Sequence, residues 1–117
     1  MEFAESKAIY LQIAEYIEEK ILAGDWPADE RIPSVRDLAA SIGVNYNTVV
    51  RTYEFLQQQE VIFNRRGLGY FVGLEAQEHV RQSQRQEFVN KMLPELFRKM
   101  DLLGFSLEEI SEHYKNK

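Results

Sequence analysis

RIPSVRDLAASIGVNYNTVVRTYEFLQQQEVIFNRRGLGYFV, residues 31–72, is the stretch on which the reading of this chain turns. Ser34 precedes a run in which Val35, Leu38, Ala39 and Ile42 recur at helical spacing. Asp37 lies three residues after the serine, in a weaker version of the Ser-x-x-Glu capping box, so a helix is expected from Ser34 to about Ile42. Gly43 ends that helix and permits a tight turn, with Val44 expected to plug the core there. A second helix is expected from Asn45, its cap, to Gln59, with Val49, Tyr53 and Leu56 facing inward. Val61-Ile62-Phe63-Asn64 and Tyr70-Phe71-Val72 are β-rich and enclose Arg65-Arg66-Gly67-Leu68-Gly69, the pattern of a hairpin. Two short helices on a tight turn, followed by a hairpin, form a winged helix-turn-helix, whose second helix enters the DNA major groove.

On the N-terminal side, Ile9, Ile13, Ile17 and Ile21 repeat at i+4, with Tyr10, Ala14 and Leu22 widening the stripe. They predict a helix from Lys7 to Ala23, capped by Ser6 and stopped at Gly24, with Pro27 beyond. Glu15, Glu18, Glu19 and Lys20 belong to its wet face. The loop 25–33 is expected to hold a very short strand at Arg31-Ile32.

On the C-terminal side, Val89, Met92, Leu93, Leu96, Phe97, Met100 and Leu103 form a long apolar helical stripe. Pro94 should kink or divide that helix, because it lacks an N–H and crowds the preceding turn. Gly104 stops it, and Ser106 with Glu109 makes a capping box that starts a last helix to about Tyr114. The expected fold is mainly α with a small β-hairpin. Residues 1–73 form the winged helix-turn-helix and 74–117 a short helical dimerisation tail.

Composition narrows the classes of function. At 117 residues the chain fits one compact domain, or one with an appended helical segment, and 44% hydrophobic residues support a real core. It has no cysteine, hence no disulfide framework, thiolate zinc site or cysteine nucleophile. Residues 1–30 show no basic segment leading into an apolar run, and no 18-residue apolar stretch exists, so the expectation is a cytoplasmic protein without a membrane partner. The net charge of −5 is unevenly spread: two basic and eight acidic residues over 1–30 (−6), five arginines and three acids over 31–73 (+2), seven basic and eight acidic over 74–117 (−1). Only the segment with the helix-turn-helix pattern is net positive, and the local field decides where phosphate can approach. The modest excess predicts salt-sensitive affinity that relies on two copies.

The residue types at the expected contact positions suit DNA. The second helix of the motif opens with Asn45, Tyr46, Asn47 and Thr48, and Arg51 follows one turn on. Amides pair bidentately with adenine, threonine meets a thymine methyl or a phosphate, and arginine takes guanine or phosphate. Asn45 is also read as a cap, Thr48 as support for that cap, and Arg51 has Glu54 as an alternative partner. Ser34 and Arg36 open the first helix of the motif, where free N–H groups and the dipole attract phosphate. Ser34 is a cap first and a phosphate donor second, and Arg36 has Asp37 or an acid of the first helix as alternative partners. At the hairpin tip Arg65 and Arg66 can grip phosphate or enter the minor groove, and Gly67 and Gly69 let the backbone come close.

These residues resemble the GntR family of bacterial transcription regulators. The matches run in order: Tyr10-Leu11-Gln12-Ile13-Ala14, then Ile32-Pro33-Ser34-Val35-Arg36-Asp37-Leu38-Ala39, then Gly43-Val44, then Arg66-Gly67-Leu68-Gly69-Tyr70-Phe71-Val72. Asn45, Asn47, Thr48, Val49, Arg51 and Tyr53 follow the pattern Asn-Pro-Asn-Thr-Val-x-Arg-Ala-Tyr of the YtrA-type branch, with Tyr46 in place of its proline and Thr52 of its alanine. The family often has Pro-Gly where this chain has Ala28-Asp29. The resemblance implies a homodimer that reads a palindromic or near-palindromic operator in double-stranded DNA, usually as a repressor. It also implies a short helical tail that dimerises. The apolar stripe agrees, with Leu93, Leu96, Phe97, Met100, Leu103 and Phe105 as the dimerisation candidates and packing onto the first helix as the alternative. Met92, Phe97, Met100 and Phe105 are also apolar enough to line a pocket for an unidentified small-molecule effector, a reading ranked below core or dimer interface.

Other classes fit less well. His79 and His113 are the only histidines and lie far apart in sequence. Glu78 beside His79 on a wet helix is a weak metal candidate, and Gly67-Leu68-Gly69 lacks the following glycine and helix of a phosphate loop. No enzyme activity, cofactor or metal is expected. A winged helix used for protein–protein assembly is the alternative function, and Arg36, Arg51, Arg65 and Arg66 argue against it. An RNA-binding sheet would need an aromatic stacking surface that the pattern does not supply.

Overall fold

A computed structural model describes residues 1–117. It divides into two compact units, Met1–Arg81 and Gln82–Lys117. The first unit contains helix α1 (Ile9–Leu22), helix α2 (Val35–Ile42), helix α3 (Tyr46–Gln58) and the antiparallel hairpin of β1 (Ile62–Arg65) with β2 (Gly69–Val72). Helix α4 (Ala76–Glu87) follows, and α5 (Leu93–Leu103) and α6 (Leu107–Lys115) complete the chain.

The apolar periodicities converge on one core. Ile13, Ile17 and Ile21 of α1 meet Val35, Leu38 and Ala39 of α2, Val49, Tyr53 and Leu56 of α3, and Ile62 and Val72 of the hairpin. Val44 packs against this cluster from the turn, as the sequence indicated. Ile9 does not join the buried stripe, because it is the first residue of α1 and stays exposed. Ser6 does not cap that helix either. Its N-cap is Ala8, and the Gln12 side chain holds the incoming chain instead, donating to the carbonyls of Lys7 and Ala4 and accepting from the Ala4 amide.

Thr52 is the one buried polar side chain, at the position where the resemblance leads one to expect alanine. Its hydroxyl donates to the Tyr10 carbonyl at 2.8 Å and lies 3.1 Å from the Thr48 carbonyl, tying α3 to the start of α1. Tyr53, beside it, donates its phenol proton to the Pro33 carbonyl at 2.6 Å and meets Tyr70 of β2 edge-on. Burial holds this phenol well above its ordinary range, with the Tyr70 and Asp37 charges acting in the same direction.

The expected strand at Arg31-Ile32 is present as a β-bridge from Arg31 to Phe71. The Ile32 amide donates to Tyr70, Val72 to Glu30 and Asp29 to Val72, so this segment lies along β2 and makes a second, short pairing there. Asp29 adopts φ +65°, the left-handed conformation that glycine accepts most readily, at the position where the resemblance leads one to expect Gly.

The first compact unit extends beyond position 73, because Ala76 and Val80 of α4 are buried in its core. The Gln77 amide donates to the Leu22 carbonyl at 3.2 Å, capping the end of α1. In the second unit the chain stays helical through Pro94, where a kink or a break was expected, and the proline is accommodated by a local change of helix type. A π-helical turn, Phe88–Met92, precedes it, with the Leu93 amide reaching back to the Phe88 carbonyl, and α5 continues from that turn with the proline in its first turn. Gly104 ends α5 in the left-handed conformation, and both bonds of the Ser106–Glu109 capping box are formed. No residue from Gln82 to Lys117 is buried. No helix is long and apolar enough to cross a membrane.

Candidate nucleic-acid interface

The α2–turn–α3 segment is built by three local devices. The Ser34 hydroxyl accepts from the Asp37 amide at 3.1 Å and fixes the start of α2. Gly43, at φ +69°, closes its end, with the Gly43 and Val44 amides both returning to the Ala39 carbonyl. The Asn45 side-chain carbonyl accepts from the Asn47 amide at 2.8 Å and starts α3. Its oxygen is thus engaged in the cap and its amide group faces out from an exposed residue. Tyr46 and Asn47 follow on the exposed side of the first turn, with Tyr46 52% exposed although it is a large aromatic. Thr48 is half-buried, and its carbonyl lies 3.1 Å from the Thr52 hydroxyl. One turn of α3 therefore carries a phenol and an amide outward from a helix whose other face is the core.

The arginines divide into held and free. Arg36 is exposed and forms no ion pair, so neither Asp37 nor an acid of α1 neutralises it. Arg51 is exposed and lies over the Tyr10 ring at 4.0 Å from its centroid, rather than pairing with Glu54. Tyr10 in turn meets Phe55 edge-on. Arg65 is paired with Asp29, and its guanidinium covers Phe71 at 4.3 Å and Phe63 at 5.0 Å. Arg66 is exposed at the tip and has no carboxylate partner.

The wing turn is tight. The Leu68 amide donates to the Arg65 carbonyl at 2.8 Å, and Gly67 takes φ +77° at the third position of that turn. Gly69, at φ +113°, begins β2 opposite Arg65. Leu68 projects from the tip with no core contact, 60% exposed. The sequence-predicted residues Ser34, Arg36, Asn45, Tyr46, Asn47, Thr48, Arg51, Arg65, Arg66, Gly67 and Gly69 all lie within the first compact unit, on α2, α3 and the wing.

Two partners escaped the sequence reading. Asp29 holds Arg65 from 36 residues away, and Tyr10 holds Arg51 from the first helix. The signal for the second was present: Tyr10 adjoins the apolar stripe of α1 without being one of its i+4 isoleucines. No cluster of three or more metal-ligating side chains occurs.

Residues 9–72, more than half the chain, match the family of bacterial regulatory proteins named gntR. The protein belongs to the GntR family. It is 32% identical to the uncharacterised HTH-type transcriptional regulator YhcF of Bacillus subtilis, over 97% of this chain and 93% of that one. It is 30% identical to the HTH-type transcriptional repressor YtrA of the same organism, over 94% and 84% of the two chains. Among solved structures, a GntR family transcriptional regulator from Listeria monocytogenes superposes with a TM-score of 0.79 at 30% identity, covering 98% of this chain and 99% of that one. AraR(DBD) in complex with operator ORR3 superposes with a TM-score of 0.53 at 26% identity, covering 62% and 92%. This GntR-family chain is thus a transcription regulator with a DNA-binding domain, in a family of regulators rather than enzymes.

Proposed function

We propose that the protein represses transcription by binding, as a homodimer, a palindromic or near-palindromic operator, with α3 in the major groove and the wing, residues 64–70, on the adjacent minor groove or backbone. The observation that carries this reading is the first turn of α3. Tyr46 and Asn47 point outward from a capped, core-anchored helix start, and the cationic side chains of Arg36 and Arg66 on α2 and the wing have no carboxylate partner. Tyr46, Asn47 and Arg51 contact base edges or the phosphates beside them. Asn45 and Thr48 hold the turn while meeting the backbone, and Ser34 and Arg36 bind phosphate at the start of α2. YtrA, a relative over most of the chain, bears the name of a repressor, and AraR(DBD) is seen on its operator. Both support the reading.

The dimer reading rests on residues 82–117. Leu96, Phe97, Leu103 and Phe105 are exposed, Leu93 and Met100 are half-buried, and a segment that buries none of its large apolar side chains needs a cover. A second copy supplies one by two-fold symmetry and sets two recognition helices about 34 Å apart, one turn of duplex.

The test is a gel-shift titration against the region upstream of the protein's own gene, followed by footprinting. A two-fold symmetric footprint, lost on raising the salt, is expected. No salt-sensitive binding to any upstream fragment would favour an assembly role instead.

A further inference from the structure

We propose that Arg31, rather than Arg65, is the arginine of the wing sheet that grips a backbone phosphate of the bound DNA. This rests on the DNA-binding reading above and adds a contact residue to it.

Strand alternation sorts the small sheet into two faces. Ile32, Ile62 and Val72 face the core, and Tyr70 reaches Tyr53 on the same side. By register, Arg31, Phe63, Arg65, Gly69 and Phe71 share the other face. The two rings stack at 6.0 Å between centroids, and the guanidinium of Arg65 covers both while paired with Asp29. The charge of Arg65 is therefore already matched, and moving it onto a phosphate would break the ion pair and uncover two half-buried rings.

Arg31 sits differently on the same face. It is exposed and has no carboxylate partner. Its backbone is fixed on both sides, by Ile32 to Tyr70 and by Val72 to Glu30, so little main-chain freedom remains to be lost on binding. Its guanidinium lies across Gly69: a Cβ built on that glycine would come 3.1 Å from the Arg31 Nε. The glycine thus leaves open the lane along which Arg31 reaches toward the wing turn. From Arg31 the chain runs antiparallel to β2, toward Gly69 and then the start of α2, so this cation lies between the two elements expected to touch backbone. A planar, always-charged fork at such a place matches a phosphate in both geometry and sign.

The test uses the full chain and two labelled duplexes, the region upstream of its own gene and a scrambled duplex of equal length, titrated by anisotropy over a range of KCl. Arg31→Ala is expected to weaken binding to both duplexes by a similar factor. It should make the slope of log affinity against log salt shallower by about 0.9 for each bound copy, with the melting temperature unchanged. Arg31→Lys should restore the slope, and Arg65→Ala should lower the melting temperature while keeping it. An unchanged slope for Arg31→Ala, in a protein whose wild type binds, overturns the inference and leaves the proposed function standing. Weakening on the upstream duplex alone overturns it as well, since that is the signature of a base contact. A wild type that binds neither duplex overturns both.

Discussion

Arg51 of the recognition helix lies over the ring of Tyr10 of α1, its guanidinium carbon 4.0 Å from the ring centroid. A long, flexible cation is thereby held in one place before DNA arrives, so less side-chain entropy is lost on contact. Arg51→Ala should weaken operator binding without unfolding the protein. Tyr10→Ala should reproduce part of that loss, about 0.5–1 kcal/mol, the scale of an exposed cation–π pair, while Tyr10→Phe keeps the ring and should bind nearly as well. The double variant Tyr10→Ala/Arg51→Ala should be no weaker than Arg51→Ala alone, measured by anisotropy titration. Strictly additive losses would show that the stack contributes nothing to binding.

Tyr53 links the recognition helix to the segment entering α2 through its bond to the Pro33 carbonyl. Removing the hydroxyl in Tyr53→Phe should cost about 1 kcal/mol, read as a fall in the urea midpoint with an unchanged m-value. The sign of the pH effect follows from the raised pKa. The fold favours the neutral phenol, so this contribution is complete below the unfolded value near pH 10 and is lost as the pH rises beyond it, where the unfolded chain ionises first. Wild type should lose stability above about pH 10 more steeply than Tyr53→Phe. Identical alkaline profiles for the two would refute the linkage.

The helix-turn-helix was legible because each device in it is local: Ser34 to Asp37, the Gly43 turn back to Ala39 and Asn45 to Asn47 each close within five residues. The wing hairpin was legible for the same reason, in its glycines and its β-rich flanks. What sequence could not assign was the commitment of individual arginines. Arg65 and Arg66 are adjacent and identical in type, yet only Arg65 finds Asp29, which pairing of the loop 29–32 with β2 brings across the sheet. The far edge of the first unit was hidden likewise. The tail was read through its long apolar stripe, whereas Ala76 and Val80 are two small side chains, and only the packing of α4 reveals that they complete the core.

Asp29 carries two opposed effects. Its left-handed backbone at φ +65° is unfavourable for a side chain, while its carboxylate holds Arg65. The left-handed conformation costs about 1 kcal/mol relative to glycine, and an exposed ion pair contributes about 0.2–1 kcal/mol. Asp29→Gly should therefore leave stability within about 0.5 kcal/mol of wild type, one effect offsetting the other. Asp29→Ala keeps the strain and loses the pair, so it should be the less stable of the two in urea unfolding. Should Asp29→Ala prove as stable as Asp29→Gly, the strain at this position is negligible.

The dimer prediction needs point substitutions rather than truncation. Ending the chain at Gly73 would strip Ala76 and Val80 from the core of the first unit, so a monomer produced that way would report lost folding as readily as lost association. Leu96 and Phe97 avoid this difficulty: both are exposed on α5, within the unit that begins at Gln82, and neither belongs to the buried core. Aspartate at either position adds a charge where apolar contact is expected, and an unpaired charge in an interface core costs several kcal/mol. In Leu96→Asp or Phe97→Asp, sedimentation should shift from dimer to monomer while the helical circular dichroism of the first unit persists. Operator affinity should fall steeply, because a single recognition helix loses the second half-site and its phosphate contacts. Dimeric variants with wild-type affinity would move the interface elsewhere on the chain.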